Sequence, residues 1–103
     1  MSQVTTHVLD TAAGRPAAGV AVTLEGAGGV LAASTTDPDG RVRELGPDRL
    51  APGTYRLRFD TAGYLGGSAF FPEVVVTFVV DGEAHHHVPL LLSPFAYSTY
   101  RGS

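Results

Sequence analysis

Four histidines are the residues of this 103-residue chain whose chemistry stands out first. His85, His86 and His87 follow one another, and the pattern around them predicts a strand in which His85 and His87 share a face and His86 points the opposite way. An imidazole titrates near pH ~6.5, so it can take up and return a proton near neutrality. His7 is the fourth, and alternation in its own predicted strand puts it on one face with Thr5 and Leu9. The pattern is therefore compatible with a general base built from histidine.

Two other interpretations of the histidines stay open at this point. Histidines two apart on a strand can bind a metal ion, but a closed zinc site needs about four ligands and the chain has no cysteine. The histidines can also be a polar, solvent-facing strand start, and His7 can be an ordinary strand residue. We expect no metal site here.

An arginine and the C-terminal residues are the other candidates. Arg41 follows the turn residues Asp39 and Gly40; such an arginine is usually a solvated surface charge. Beside the histidines, its forked donors would suit a planar substrate rich in carbonyl groups, or a developing oxyanion. Residues 100–103 combine a phenol, a guanidinium, a flexible glycine and a terminal carboxylate, and strand-like patterns continue almost to this end. Chain ends are usually frayed. Because this one keeps a strand-like pattern and several functional groups, we expect its residues to have a function.

Two common kinds of site find no support in the sequence. No serine has the context of a nucleophile elbow, which argues against a Ser-His-Asp hydrolase. The glycine-rich residues 26–29 lack both the lysine and the following helix of a phosphate-binding loop.

Length and composition limit the classes of protein further. The length predicts a single domain over residues 1–103, with a core but little room for a private pocket, so we expect a surface groove or a site between subunits. The net charge of −3 gives no reason to expect nucleic acid or an anionic membrane as a partner. No signal peptide and no apolar run of ~20 residues is visible, so we expect a soluble cytoplasmic protein.

Short alternating segments separated by turn residues dominate the chain. They predict strands at residues 4–10, 19–25, 30–36, 41–45, 54–59, 73–80, 85–92 and 95–100. In residues 54–59 the apolar side chains alternate and are expected to face inward. One short helix is predicted at residues 60–66, with Asp60 or Thr61 as its cap and Gly66 or Gly67 as its end. Asp81-Gly82 predicts a hairpin between the strands on either side of it, and sequential pairing favours antiparallel sheets. Residues 73–80 are apolar on both faces, which indicates a central strand or one covered by another subunit. The whole pattern is typical of an all-β sandwich.

Taken in order, these motifs resemble the transthyretin-like 5-hydroxyisourate hydrolases of urate breakdown. The matching segments are residues 5–10 (TTHVLD), 14–17 (GRPA), 36–41 (TDPDGR), 52–55 (PGTY), 71–74 (FPEV) and 85–103. The final YRGS separates these hydrolases from the hormone-carrying transthyretins. The chain departs from the family in having His86 where an aromatic residue is usual, and in short segments at 26–30 and 64–70.

The resemblance implies a fold, an assembly and a reaction. The fold is a transthyretin (prealbumin)-like β-sandwich of two four-stranded sheets with one short helix. The assembly is a homotetramer, a dimer of dimers with active sites in the channel between them. The reaction is hydrolysis of 5-hydroxyisourate, and it needs no cofactor.

The resemblance also assigns roles to residues. The catalytic group is His7, Arg41 and His87, without a choice between the histidines as base. The substrate-binding group is His7, Arg41, Tyr100, Arg101, Gly102 and Ser103.

Two alternatives from other classes remain. One is a transthyretin-type carrier that binds a hydrophobic ligand without turnover. The other is a non-catalytic immunoglobulin-like or carboxypeptidase-regulatory-like β module, which would share residues 14–24, 39–41 and 52–55 but would leave the ending unexplained.

Overall fold

Strands dominate the computed structural model, which describes residues 2–103; Met1, the first residue of the predicted domain, lies outside the described residues. The elements of the described part are β1 (Val4–Asp10), β2 (Arg15–Pro16), β3 (Ala21–Gly26), β4 (Gly29–Thr35), β5 (Arg41–Val42), β6 (Gly53–Phe59), α1 (Thr61–Leu65), a 3₁₀ turn (Gly66–Ser68), β7 (Val74–Val80), β8 (His86–Ser93) and β9 (Ala96–Thr99).

These strands form two sheets, as predicted. The first has the order β2-β1-β8-β9, and β5 also pairs with β1. Since β8 occupies one edge of β1, the short strands β2 and β5 share the other edge, β5 at the middle of β1 and β2 at its end. The sheet is therefore four strands wide. The second sheet has the order β4-β3-β6-β7. The predicted all-β sandwich of two sheets with one short helix is confirmed, and the first sheet has five strands because β2 and β5 both pair with β1.

The core consists of apolar side chains that alternate along the inward faces of the strands. In β6 the inward residues are Tyr55, Leu57 and Phe59, as predicted, and the last two are fully buried. Burial of each large apolar side chain contributes roughly 1.5–3 kcal/mol. In β1 the same alternation turns Val4, Thr6 and Val8 inward, which leaves Thr5 and His7 on the outward face.

The predicted hairpin at Asp81-Gly82 is wrong. Strand β7 pairs with β6 in the second sheet, whereas β8 pairs with β1 in the first, in parallel and from Val4↔His86 to Asp10↔Leu92. The expectation of wholly antiparallel sheets is therefore also wrong. The turn residues begin a connection that crosses from one sheet to the other, and the side chain of Gln3 donates hydrogen bonds to its carbonyls at Gly82 (2.9 Å) and Ala84 (3.1 Å).

Strand β7 is an edge strand, so the interpretation of residues 73–80 as a central strand is wrong. Both of its ends are buried, but Val75 is 37% exposed and Val79 is 64% exposed. Apolar side chains on both faces of an edge strand are what a covering subunit would require. That alternative stays a prediction.

The short helix is confirmed, with the cap that the sequence indicates. The side chain of Asp60 accepts a hydrogen bond from the backbone N–H of Gly63 at 3.0 Å, and Gly66 ends the helix. From within the helix, the Tyr64 hydroxyl donates to Oδ2 of Asp10 at 2.7 Å and so ties the helix to the end of β1.

Two smaller differences concern strand length. The strand predicted at residues 41–45 is only Arg41–Val42, and Arg15–Pro16 pairs with β1 inside a predicted loop. None of the described helices is both long enough and apolar enough to cross a membrane.

Candidate active site

The outward face of the first sheet carries most of the candidate residues. In the parallel pair of β1 and β8, Thr5 lies opposite His87. On the other edge of β1, Arg41 of β5 lies opposite His7. Residues directly opposite each other across a strand pair share a face. The pairing therefore places residues from the beginning, middle and end of the chain side by side.

The turn before β5 holds Arg41 at this edge. Oδ1 of Asp37 accepts hydrogen bonds from the backbone N–H groups of Asp39 (2.9 Å) and Arg41 (3.0 Å). The backbone hydrogen bond from Arg41 is the main reason why the pKa of the Asp37 carboxyl lies below its ordinary value. Gly40 has a φ of 76°, as the turn requires, and its carbonyl accepts from the Val8 N–H at 2.7 Å. The turn is thus anchored directly to β1.

His87 is half-buried and has one ring nitrogen engaged. Its Nδ1 lies 2.8 Å from the Thr5 hydroxyl, and its Nε2 has no hydrogen-bond partner within residues 2–103. Burial lowers the pKa of His87 below the ordinary 6.5, and the positive charges of Arg41, His85 and His7 lower it further. Both effects favour the neutral form of His87, which is the form that a general base needs.

A cleft of about 190 Å³ opens beside His87. Its lining includes Arg41, His87 and Ser103 from the predicted site, together with Thr5 and His85. Thr6, Val42 and Arg43 complete the lining. Two arginines, two histidines and three hydroxyl-bearing residues thus line one small cleft.

The last residues lie against β8. The N–H of Gly102 donates to the carbonyl of His87 at 2.8 Å, so the chain end runs alongside the histidine. Tyr100 and Arg101 line a second cavity of about 340 Å³, which also borders His86 and His87. Ser103 returns to the first cleft. His87 therefore lies between two cavities, of which the first is lined by Arg41 and Ser103 and the second by Tyr100 and Arg101.

His7 lies beside this group but does not line either cavity. Its Nε2 is 2.8 Å from the carbonyl oxygen of Asp39. A carbonyl only accepts, so Nε2 carries the proton and the lone pair of neutral His7 is on Nδ1. Of the two candidate bases, His87 is the one that borders the cleft.

Sequence reasoning missed Thr5, His85 and Arg43. Alternation had already placed Thr5 on the face of His7, and His85 on the face of His87. These two faces become one only through the parallel pairing of β1 with β8, for which the sequence offers no local signal. The predicted opposite orientation of His86 agrees with its burial, since only 5% of it is exposed.

Metal binding gains no support from this geometry. The hydroxyl of Thr5 lies between His85 and His87, and their ring centroids are 6.3 Å apart. In the described part of the chain, no three side chains of the His, Cys, Asp or Glu type form a group that could bind a metal ion.

Comparisons with known proteins give one consistent result. The sequence profile of the HIUase/Transthyretin family matches residues 4–102. The 5-hydroxyisourate hydrolase of Caulobacter vibrioides is 45% identical, with all of both chains covered. The uric acid degradation bifunctional protein TTL of Arabidopsis thaliana is 50% identical over 97% of this chain, which spans only 37% of that longer relative.

A solved structure gives the same result in three dimensions. The structure of the 5-hydroxyisourate hydrolase of Klebsiella pneumoniae has a TM-score of 0.91 and 38% identity, with all of both chains covered. The family profile spans nearly the whole chain, and a full-length relative is 45% identical to it. These two findings exclude the immunoglobulin-like or carboxypeptidase-regulatory-like alternative. The chain belongs to the HIUase/Transthyretin family.

Proposed function

We propose that this chain hydrolyses 5-hydroxyisourate to 2-oxo-4-hydroxy-4-carboxy-5-ureidoimidazoline in urate catabolism. Its full-length relatives carry the hydrolase name, and the matched family also includes transthyretins. The observation that carries the proposal is the cleft in which Arg41, His87 and Ser103 converge. A neutral imidazole beside a guanidinium suits attack of water on a cyclic amide better than retention of a hydrophobic ligand.

The reaction is a hydrolytic ring opening. Water adds to an amide carbonyl of the six-membered ring, the ring C–N bond breaks, the hydroxyl stays on the carbon and a proton passes to the leaving nitrogen. We assign acceptance of the water proton to Nε2 of His87, which has no partner within residues 2–103. Such general-base help is worth about 10²–10⁴-fold in rate. The same nitrogen then returns the proton to the leaving group.

Charge develops on the carbonyl oxygen during this attack, and Arg41 is the residue that we assign to it. Its guanidinium lines the cleft and can donate two parallel hydrogen bonds to adjacent oxygens. His7 is assigned to the substrate edge near Arg41, since it lies opposite that residue in the β1–β5 pair. Tyr100, Arg101, Gly102 and Ser103 are assigned to substrate binding and to holding His87 in place.

Generating the substrate in the cuvette tests the proposal directly. Uricase converts urate to 5-hydroxyisourate, whose ultraviolet absorbance then decays slowly without help. Adding this protein should accelerate the decay in proportion to its concentration, while the rate of urate consumption stays unchanged. A carrier would bind the substrate in a one-to-one ratio and would shift or hold its absorbance without turnover. That result would refute the proposed hydrolase activity.

We also propose that the active form is a cytoplasmic homotetramer, a dimer of dimers. The exposed apolar residues Val79 on the β7 edge and Tyr100 beside the second cavity support it. Sedimentation equilibrium should give four times the 10.7 kDa chain mass. Removing residues 101–103 should weaken that assembly. A protein that is fully active as a monomer would contradict this part of the proposal.

A prediction about Gly102 follows from its close approach to His87. A Cβ added to Gly102 would lie 2.6 Å from Cδ2 of His87 and 3.3 Å from Cγ of Pro89. Gly102→Ala should therefore displace the imidazole and lower kcat/KM by about 10²-fold, as small misplacements of catalytic groups do.

The matched control is Gly67→Ala, because a Cβ there meets no heavy atom within 4 Å. Both variants should unfold at nearly the temperature of the unmodified protein in a thermal melt. Equal activity of the two variants would show that the packing of Gly102 on His87 is irrelevant to the rate.

A further inference from the structure

The hydroxyl of Thr5 joins two histidines that do not touch each other. Oγ1 of Thr5 is 2.8 Å from Nε2 of His85 and 2.8 Å from Nδ1 of His87. Thr5 itself is only 6% exposed, whereas His85 is exposed and His87 is half-buried. A buried hydroxyl thus connects a surface imidazole to the imidazole of the cleft.

The fold leaves this hydroxyl little freedom. Thr5 lies opposite His87 in the parallel β1–β8 pair, and a β-branched side chain on a strand has restricted χ1 rotamers. The ring centroids of His85 and His87 are 6.3 Å apart, so the hydroxyl spans a gap that neither ring closes alone. Neither hydrogen bond can be made by an aliphatic side chain of the same shape.

Counting protons shows what the arrangement requires. A hydroxyl has one proton to donate, and each neutral imidazole has one N–H. If Thr5 donates to His85, then Nδ1 of His87 must carry the proton and donate to Thr5, which leaves the lone pair of His87 on Nε2. If Thr5 donates to His87 instead, Nε2 of His87 carries the proton and cannot act as a base. The direction of one hydroxyl therefore determines whether His87 can accept a proton.

We propose that Thr5 is a positioning residue which, by donating to His85, holds His87 as the Nδ1–H tautomer with the Nε2 lone pair available to the cleft. The proposal deepens the hydrolase assignment and rests on it for its kinetic consequence. The direction His87 to Thr5 to His85 is the one that leaves a base beside the cleft. His85 is then the terminal acceptor, a role that none of the sequence motifs assigned to it.

Two variants separate the effect of the Thr5 hydroxyl from the effect of the side chain's shape. Thr5→Val keeps the branched side chain and removes both hydrogen bonds, whereas Thr5→Ser keeps the hydroxyl. Thr5→Val should lower kcat roughly 10-fold, the size of one lost hydrogen bond, with KM unchanged. Thr5→Ser should recover most of that loss. Thr77→Val, the same substitution on an exposed position of β7, should leave both constants unchanged.

The tautomer itself can be measured without any substrate. Long-range ¹H–¹⁵N correlation spectra at about pH 8, above the ordinary pKa of an imidazole, distinguish the Nδ1–H from the Nε2–H form. His87 should be the Nδ1–H tautomer in the unmodified protein and in Thr5→Ser, and should lose that preference in Thr5→Val.

Two outcomes overturn the proposal: an Nε2–H tautomer of His87 in the unmodified protein, or an unchanged tautomer and kcat in Thr5→Val. The first requires no variant, so the test survives even if Thr5→Val does not fold. Absence of hydrolysis with the expected tautomer would refute the proposed function and leave the role of Thr5 in place.

Discussion

Replacing His87 with asparagine should lower kcat for 5-hydroxyisourate hydrolysis by about 10²–10⁴-fold, the range that a positioned general base contributes. His87 borders the cleft and has a lowered pKa, and its Nε2 has no partner within residues 2–103. Asparagine preserves polarity near Thr5 but cannot accept a proton at neutral pH. Stopped-flow absorbance after uricase treatment of urate would measure the effect.

The matched control is the same substitution one residue earlier. His86 points into the protein, is 5% exposed and makes its hydrogen bond to the carbonyl of Ala84 at 2.7 Å. His86→Asn should retain most of kcat, whatever it does to the melting temperature. If the two variants lose activity equally, or if folded His87→Asn keeps the full rate, then His87 is not the base.

The pH profile of the unmodified protein also tests the assignment of His87 as the base. A base must be neutral, so kcat/KM should fall as the pH drops through the pKa of His87. Because burial and then the charges of Arg41, His85 and His7 lower that pKa, the acid limb should lie below 6.5. An acid limb above that value would point to a different base.

Replacing Arg41 with glutamine should lower kcat/KM by about 10²–10³-fold, the effect of removing one donor from a developing oxyanion. Such a loss corresponds to about 3–4 kcal/mol of transition-state stabilisation. The guanidinium lines the cleft, and the turn at Asp37 fixes its backbone. Glutamine keeps a donor but loses both the charge and the bidentate geometry.

Arg56→Gln provides the control, since Arg56 is an exposed arginine on β6 of the other sheet. It should change kcat/KM little. Removing the charge of Arg41 should also raise the pKa of His87, because that charge is one cause of its depression. An NMR titration of the His87 ring would show this shift even in an inactive variant. Full activity of Arg41→Gln, or no change in that pKa, would remove Arg41 from the site.

Much of the fold was predictable because its causes are local. Period-two alternation identified the buried residues of β6, and a carboxylate cap with a terminal glycine identified α1. The order Asp-Pro-Asp-Gly predicted the turn that presents Arg41, since these residues favour the turn by their own backbone preferences. In each case the energy that selects the structure comes from residues close together in sequence.

The connection after β7 shows where such reasoning ends. Asp81-Gly82 has the composition of a tight hairpin turn, yet the chain there leaves one sheet for the other. Strand β8 pairs instead with β1, about eighty positions away, and buries Val88, Leu90 and Leu92 against the opposite sheet. The free energy gained from the local turn preference is smaller than the free energy gained by burying that whole apolar face.

By itself, the sequence determined most of the strands, the helix, the turn before Arg41 and the chemical types available for a site. Only the tertiary structure decided which of those groups meet. The parallel pairing of β1 with β8 brings Thr5 between His85 and His87, and the β1–β5 pairing adds Arg41 beside His7. Pairing between distant strands depends on how whole apolar faces pack together, which no short stretch of residues encodes.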